Sequence, residues 1–269
     1  MNFKRTVITM LTMLLIVSSV PMELFAAGSV TTEISSIAKD TSGNRYTAVI
    51  NSGKGTRSYN VFSQTGSKKN NKSFIALHGC AASSLTCVLS GYTKKYDSWT
   101  PAMVSKQLEK KVFGTRAWRK NYTKSMMKQR PVSLYGISKI LTYCKIPNKY
   151  VRFFKDKQAV KDIKKHLKTG NAVIIETNNH RQTNGKFSSK VDTRWASSKH
   201  TMALLGMTDT GKVIVADSAY RKWSGKKQRI KYADMEELVH YMIPCKRYSR
   251  TLYFNSVDTC GGYILVNKK

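Results

Sequence analysis

Residues 78–91 read HGCAASSLTCVLSG, a stretch whose pattern allows little other than a helix beginning at the cysteine. Small residues open it, and the apolar side chains Leu85, Val88 and Leu89 recur at helical spacing. Gly91 then stands as a natural helix stop. The pattern therefore predicts Cys80 at a helix N-terminus. Partial positive charge and unpaired N–H groups there favour a thiolate over a thiol, which makes the sulfur a candidate nucleophile. The alternative use of such a cysteine is as a small core residue.

A second constraint comes from HTMALLGMTDTGKVIVADS, His200 to Ser218, two apolar runs separated by Thr208–Gly211. This is a hairpin signal. A short turn centred between Thr208 and Asp209 pairs Met207 near Thr210 and Gly206 near Gly211, and brings His200 abreast of Asp217. Directly opposed residues share a face, with Cβ atoms about 4.5–5.5 Å apart. An imidazole and a carboxylate so placed can hydrogen-bond, and the acid then orients the ring as the third member of a catalytic triad does. A slip of one residue would put them on opposite faces, leaving two residues that merely end two strands.

The remaining histidines are weaker candidates. His166 falls in a lysine-rich helix and reads as surface. His240 ends a helix, where a cation suits the dipole, and His180 lies in a polar loop. His78, on the strand expected to enter the Cys80 helix, suits packing as well as it suits a cleft wall.

The rest of the chain frames these residues. Ser29 to about Tyr59 is rich in Ser, Thr, Gly and Asn with one strand at Tyr46–Ile50, and reads as a linker or short pro-segment over 28–58. YNVFSQ, Tyr59–Gln64, is strand-like, and Ser67–Ser73 is a basic loop. Helices are expected after Thr100 as N-cap with Pro101 first, over Pro131–Tyr143, over Gln158–Lys168 and at Met235–Tyr241. Asn171–Glu176 reads as a buried strand, Thr177–Ser198 as a polar loop, and Gly262–Val266 as a closing strand. Helices first and strands afterwards indicate an α+β domain with helices packed against an antiparallel sheet.

Charge and export bear on partners. The 269 residues carry 47 basic and 15 acidic side chains, a net charge of +32, with the lysines scattered along the whole chain. Such an excess speaks to solubility and to anionic partners rather than to fold. A cell-surface polymer or lipid fits it, with nucleic acid a less favoured partner. Residues 1–27 read as a signal peptide: Lys4 and Arg5, an apolar run over Val7–Val17, then Ala26 and Ala27. The protein is thus expected outside the cell. Of the five cysteines, Cys80, Cys87, Cys144, Cys245 and Cys260, an odd one must stay free. A reactive Cys80 with up to two bridges among the other four, or four unpaired structural thiols beside it, fit equally. No C-x-x-C or clustered histidine suggests a metal, and no cofactor is expected.

FSQ ending at Gln64, GCAASSLTCVLSG, TPAMVSKQL, GNAVIIE and the His200–Ser218 hairpin occur in an order that resembles the papain-fold cysteine peptidases. More narrowly, the chain resembles those related to the double-glycine leader peptidases of bacteriocin export, in a stand-alone secreted form. The resemblance runs from about Tyr59 to Ser218, with gaps, and implies a papain-like catalytic domain, expected over 59–269, acting on a peptide or protein substrate. It also implies Cys80 as nucleophile, His200 as general base and acid, Asp217 as orienter and Gln64 as side-chain donor to the oxyanion. Family members usually carry Gly-Pro or similar after the cysteine, where this chain has Ala81 and Ala82. A basic binding protein on an idle scaffold and an acyl transferase using the same thiol are the alternative functions.

Overall fold

The computed structural model describes residues 32–39, 45–53, 55–64, 73–219, 229–245, 247, 250–254 and 261–267. The expected export signal, most of the basic loop before Ser73, and Cys260 lie outside them. Three antiparallel strands come first, β1 (Thr32–Lys39), β2 (Arg45–Ser52) and β3 (Gly55–Phe62), paired in that order. Helices α1 (Phe74–His78) and α2 (Cys80–Tyr92) follow almost head to tail. Helix α3 covers 101–113 and widens into a π turn at Val104–Glu109. Next are α4 (Thr115–Tyr122), α5 (Leu134–Tyr143), β4 (Asn148–Val151) and α6 (Asp156–Leu167). The strands β5 (Val173–Thr177), β6 (His180–Thr183), β7 (Lys186–Val191), β8 (His200–Met207), β9 (Val213–Ala216) and β10 (Ile230–Ala233) precede the short α7 (Met235–Leu238) and β11 (Tyr263–Val266).

Six of these strands form the central sheet in the order β10-β9-β8-β5-β11-β4, every neighbouring pair antiparallel. The inner strands β5, β8 and β9 are buried on both faces, so they read as near-continuous apolar runs rather than as alternating ones. Ile174, Ala203, Leu205 and Ile214 point to one face, where Leu85 and Val88 of α2 and Ile137 of α5 cover them. Ile175, Met202, Leu204 and Val215 point to the other, against Ile163 of α6 and Met235 of α7. This is the expected α+β arrangement of helices against an antiparallel sheet. Leu85, Val88 and Leu89 are wholly buried, each worth about 1.5–3 kcal/mol of apolar transfer.

Where linker or pro-segment is expected over 28–58, the described residues form β1, β2 and the start of β3, with Ala48 and Ile50 buried beside Tyr59 and Val61 in the main core. Polar composition hid them, because only one small face of the ribbon turns inward. Thr32 packs where Gly206 of β8 leaves room; a Cβ at 206 would lie 2.4 Å from the Thr32 methyl.

Gly91 does not stop α2, which continues to Tyr92. A Cβ there would fall 2.1 Å from the Tyr59 ring, so the glycine admits β3 against the helix, and Asn60 N–H donates to Ser90 Oγ beside it at 2.9 Å. The expected polar loop over Thr177–Ser198 contains the β6–β7 hairpin, turned by Asn184 and Gly185 at φ 47° and 82°. Asn-Gly is the residue pair this turn favours. The helix expected from Pro131 starts at Leu134, capped by Ser133, whose Oγ accepts from Gly136 N–H at 3.0 Å. Thr100 caps α3 as expected, accepting from Met103 N–H at 3.3 Å.

Candidate active site

The helix junction before Cys80 sets the position of the sulfur. Gly79 N–H donates to Ile75 O at 2.9 Å, closing α1, and Gly79 O accepts from Ser83 N–H at 2.8 Å, opening α2. A Cβ on residue 79 would lie 2.4 Å from Ile75 O, so the two helices can meet this closely only through glycine. Cys80 is thereby the first residue of α2, and His78 belongs to α1 rather than to an extended entry. Ser84 Oγ donates to Thr201 O at 2.9 Å and pins the first turn of α2 to β8. Cys80 Sγ lies 3.8 Å from Thr201 Oγ1.

His200 and Asp217 meet, although not in the register a short turn would give. Met207 pairs with Val213 rather than near Thr210, and a bulge between Leu204 and Gly206 then leaves Leu204 opposite Val215 and Ala203 opposite Ala216. One step further, Asp217 faces Met202, two residues from His200. A displacement of two preserves the face, whereas one would have reversed it. The pair is therefore diagonal, and His200 Nε2 reaches Asp217 Oδ1 at 2.7 Å. The other ring nitrogen is left for Cys80, and the ring and the sulfur are coupled electrostatically, each favouring the charged form of the other.

Asp217 has two further donors. Ala219 N–H reaches Oδ1 at 2.8 Å, and Lys231 Nζ on β10 reaches Oδ2 at 2.5 Å. The His200, Asp217 and Lys231 side chains are 3%, 0% and 2% exposed, so solvent screens none of these interactions. Lys231 Nζ also stands over the Trp195 ring, 5.7 Å from its centroid.

These contacts decide the protonation states. Burial disfavours a charged His200 ring, but Asp217 and the Cys80 sulfur outweigh it and lift its pKa to about 9. Burial likewise opposes the Cys80 thiolate, yet His200 and the Thr201 hydrogen bonds win and hold its pKa below the ordinary thiol value. Asp217 is pushed up by burial and pulled down further by His200 and Lys231, leaving it well below the usual carboxylate range. Cys87, seven residues along the same helix, has only burial acting on it, and its pKa rises. Burial also raises Cys144 and Cys245. Both shifts favour a thiolate–imidazolium pair below about pH 9. The raised His200 pKa stabilises the fold fully below its unfolded value and ceases to do so as pH rises through about 9. The depressed Asp217 pKa acts oppositely: its contribution is lost on strong acidification.

Gln64 lies against the same edge. Its backbone N–H donates to Ser218 O at 2.8 Å, and its side chain donates from Nε2 to Ala76 O at 3.2 Å, one helical turn before Cys80. The other histidines stand apart: His78 contacts Met126 O, His166 Val266 O, His180 Ser188 O and His240 Gln182 O. Cys80, Cys87, Cys144 and Cys245 are all free thiols, so the unbridged alternative describes these four. Among the described residues no group of His, Cys, Asp or Glu could hold a metal ion, and no helix is long and apolar enough to cross a membrane.

Lys231 is the residue that sequence reasoning missed. Its one signal is the alternation of IKYA, in which Lys231 and Ala233 are buried while Tyr232 between them is exposed. That signal becomes readable only once the partner strand is known.

A cysteine at a helix start, with a histidine and an acid on the sheet it packs against, defines the papain-like class of cysteine peptidase folds. The comparison with known families agrees: residues 56–246 match the Peptidase_C39 like family, and the chain belongs to it. No curated protein matches the chain. Family membership carries with it a cysteine peptidase kind of function.

Proposed function

We propose that the protein is an exported cysteine peptidase that hydrolyses peptide or isopeptide bonds through Cys80, His200 and Asp217. His200 holds the thiol proton, and the Cys80 thiolate attacks the amide carbonyl to give a tetrahedral oxyanion. The Cys80 backbone N–H and the side-chain amide of Gln64, whose Nε2 carries a second hydrogen beyond the one given to Ala76, are the donors for that oxyanion. The imidazolium gives its proton to the leaving amine as the C–N bond breaks. Water, deprotonated by the neutral ring, then releases the acid and returns the thiol. The observation that carries this reading is the orientation of His200. Asp217 holds Nε2, which leaves the other nitrogen for the Cys80 sulfur at the helix N-terminus, whose ionisation the ring promotes.

The test is a broad peptide-library digestion comparing the native chain with Cys80→Ala. Cleavage at defined bonds, lost in the variant, is expected; cleavage that survives Cys80→Ala, or none by a chain whose Cys80 is labelled selectively, contradicts hydrolysis. Product analysis with added amines separates transfer of the same acyl group from hydrolysis.

One surface feature favours an anionic partner besides the substrate. A cleft of about 460 Å³ is lined by Lys120, Lys124, Arg130 and Arg250 together with Tyr253 and other uncharged residues, and has no acid among the described residues of its walls. We infer that this face holds an anionic cell-surface polymer. Replacing Lys120, Lys124 and Arg250 together by Glu is expected to weaken binding of labelled dextran sulfate, at low ionic strength, by about tenfold or more. Unchanged affinity would place the attraction in the diffuse surface charge instead.

A further inference from the structure

Asp217 directly follows β9, a strand flanked on both sides, and the two diagonal neighbours on its face carry opposite consequences for it. His200 comes from β8 and takes Oδ1; Lys231 comes from β10 and takes Oδ2. The register makes Lys231 the counterpart of His200: Ile230 faces Ala216, so Arg229 is opposite Asp217 and Lys231 is two residues beyond, on the same face. A lysine 2% exposed costs several kcal/mol to bury as a cation, and a protein keeps one only where its charge is matched. Here it is matched by a carboxylate that is wholly buried and already committed to the histidine.

We propose that Lys231 is a positioning residue of the catalytic site, which fixes the Asp217 carboxylate from behind and balances the charge of the thiolate–imidazolium pair. Resting on the peptidase reading above, the inference adds a fourth group to it. With Cys80 as thiolate and His200 as imidazolium, Asp217 and Lys231 bring the buried set to zero net charge. Without Lys231 the same set carries one uncompensated negative charge. That excess opposes ionisation of Cys80 and favours the proton on His200, so both limits of the reactive window move to higher pH. Lys231 also prevents the carboxylate from rotating, because Oδ2 is held while Oδ1 receives His200 and the Ala219 N–H.

Other charged groups face this set from the elements around it. Glu176 of β5 is buried, lies across from Thr201, and is coupled electrostatically to Cys80; burial raises its pKa to about 8. Lys199 precedes His200 and sits over the Phe254 ring at 4.3 Å. Arg229 is held on Ser218 O and Ser63 Oγ. All three are common to every variant below, so a difference between variants reports on Lys231.

The test is the pH dependence of Cys80 alkylation by iodoacetamide, followed by peptide mapping, for the native chain, Lys231→Met and Lys231→Arg. Lys231→Met fills the space without the charge and is expected to shift the window about one pH unit alkaline, a tenfold slower reaction on its acid limb. Lys231→Arg keeps the charge and is expected to retain the native window. A Lys231→Met profile that overlays the native one overturns the inference. So does a Lys231→Arg profile displaced alkaline, which also decides the matter if Lys231→Met does not fold. A native chain whose Cys80 reacts no faster than Cys87 or Cys144 would instead overturn the peptidase reading itself.

Discussion

Replacing His200 by Ala is expected to slow alkylation of Cys80 at pH 7 by about a hundredfold and to abolish peptide cleavage. The magnitude follows from what the imidazole does for the sulfur. Cys80 is 5% exposed, and burial alone would hold it as a thiol, as it does Cys87. Coupling to His200 reverses that, with Thr201 adding less. Without the ring, the helix N-terminus and Thr201 Oγ1 remain, but they act on a sulfur whose ordinary pKa is about 8.5 before the penalty of burial. At pH 7 such a thiol is ionised to a few per cent at most. Loss of cleavage goes further than loss of labelling, because the leaving amine also needs the proton His200 supplies. Quantitative labelling at Cys80 with an unchanged rate in His200→Ala would show that the histidine does not govern the sulfur.

Asp217→Leu is expected to be the most damaging single substitution for stability, costing about 3–5 kcal/mol in urea denaturation. The carboxylate accepts from His200, Lys231 and Ala219 N–H, all inside the protein. Its removal leaves a buried ammonium with no acid and frees the ring from the orientation that Nε2 gives it. Removing one partner of a buried ion pair costs more than replacing both by apolar groups. The double variant Asp217→Leu with Lys231→Met is accordingly expected to be more stable than Asp217→Leu alone. Equal stability of the two would mean that the lysine finds solvent or another acid in the single variant.

The sequence carried the parts of this site that depend on local pattern. The start of α2 at Cys80 follows from small residues and helical spacing, and it holds to the residue. The face shared by His200 and Asp217 follows from strand alternation and also holds. Their register does not, because the length of the turn and the bulge between Leu204 and Gly206 are set by packing rather than by residue type. Lys231 was illegible for a related reason: whether a lysine on a short strand points inward is decided by the neighbour it pairs with. Gly91 was misread as a stop because its reason lies 32 positions earlier, in the ring of Tyr59. The β6–β7 hairpin was missed although Asn184-Gly185 marks its turn locally, because the polar stretch around it reads as a loop.

The most direct measurement is the rate of carboxamidomethylation at Cys80 in the native protein from pH 4 to pH 10. An ion pair predicts reactivity that is already high in mildly acidic buffer, where an ordinary thiol is silent, with a second inflection near pH 9 as His200 gives up its proton. A single rise with a midpoint at or above the usual thiol pKa of about 8.5, and nothing before it, would contradict the account.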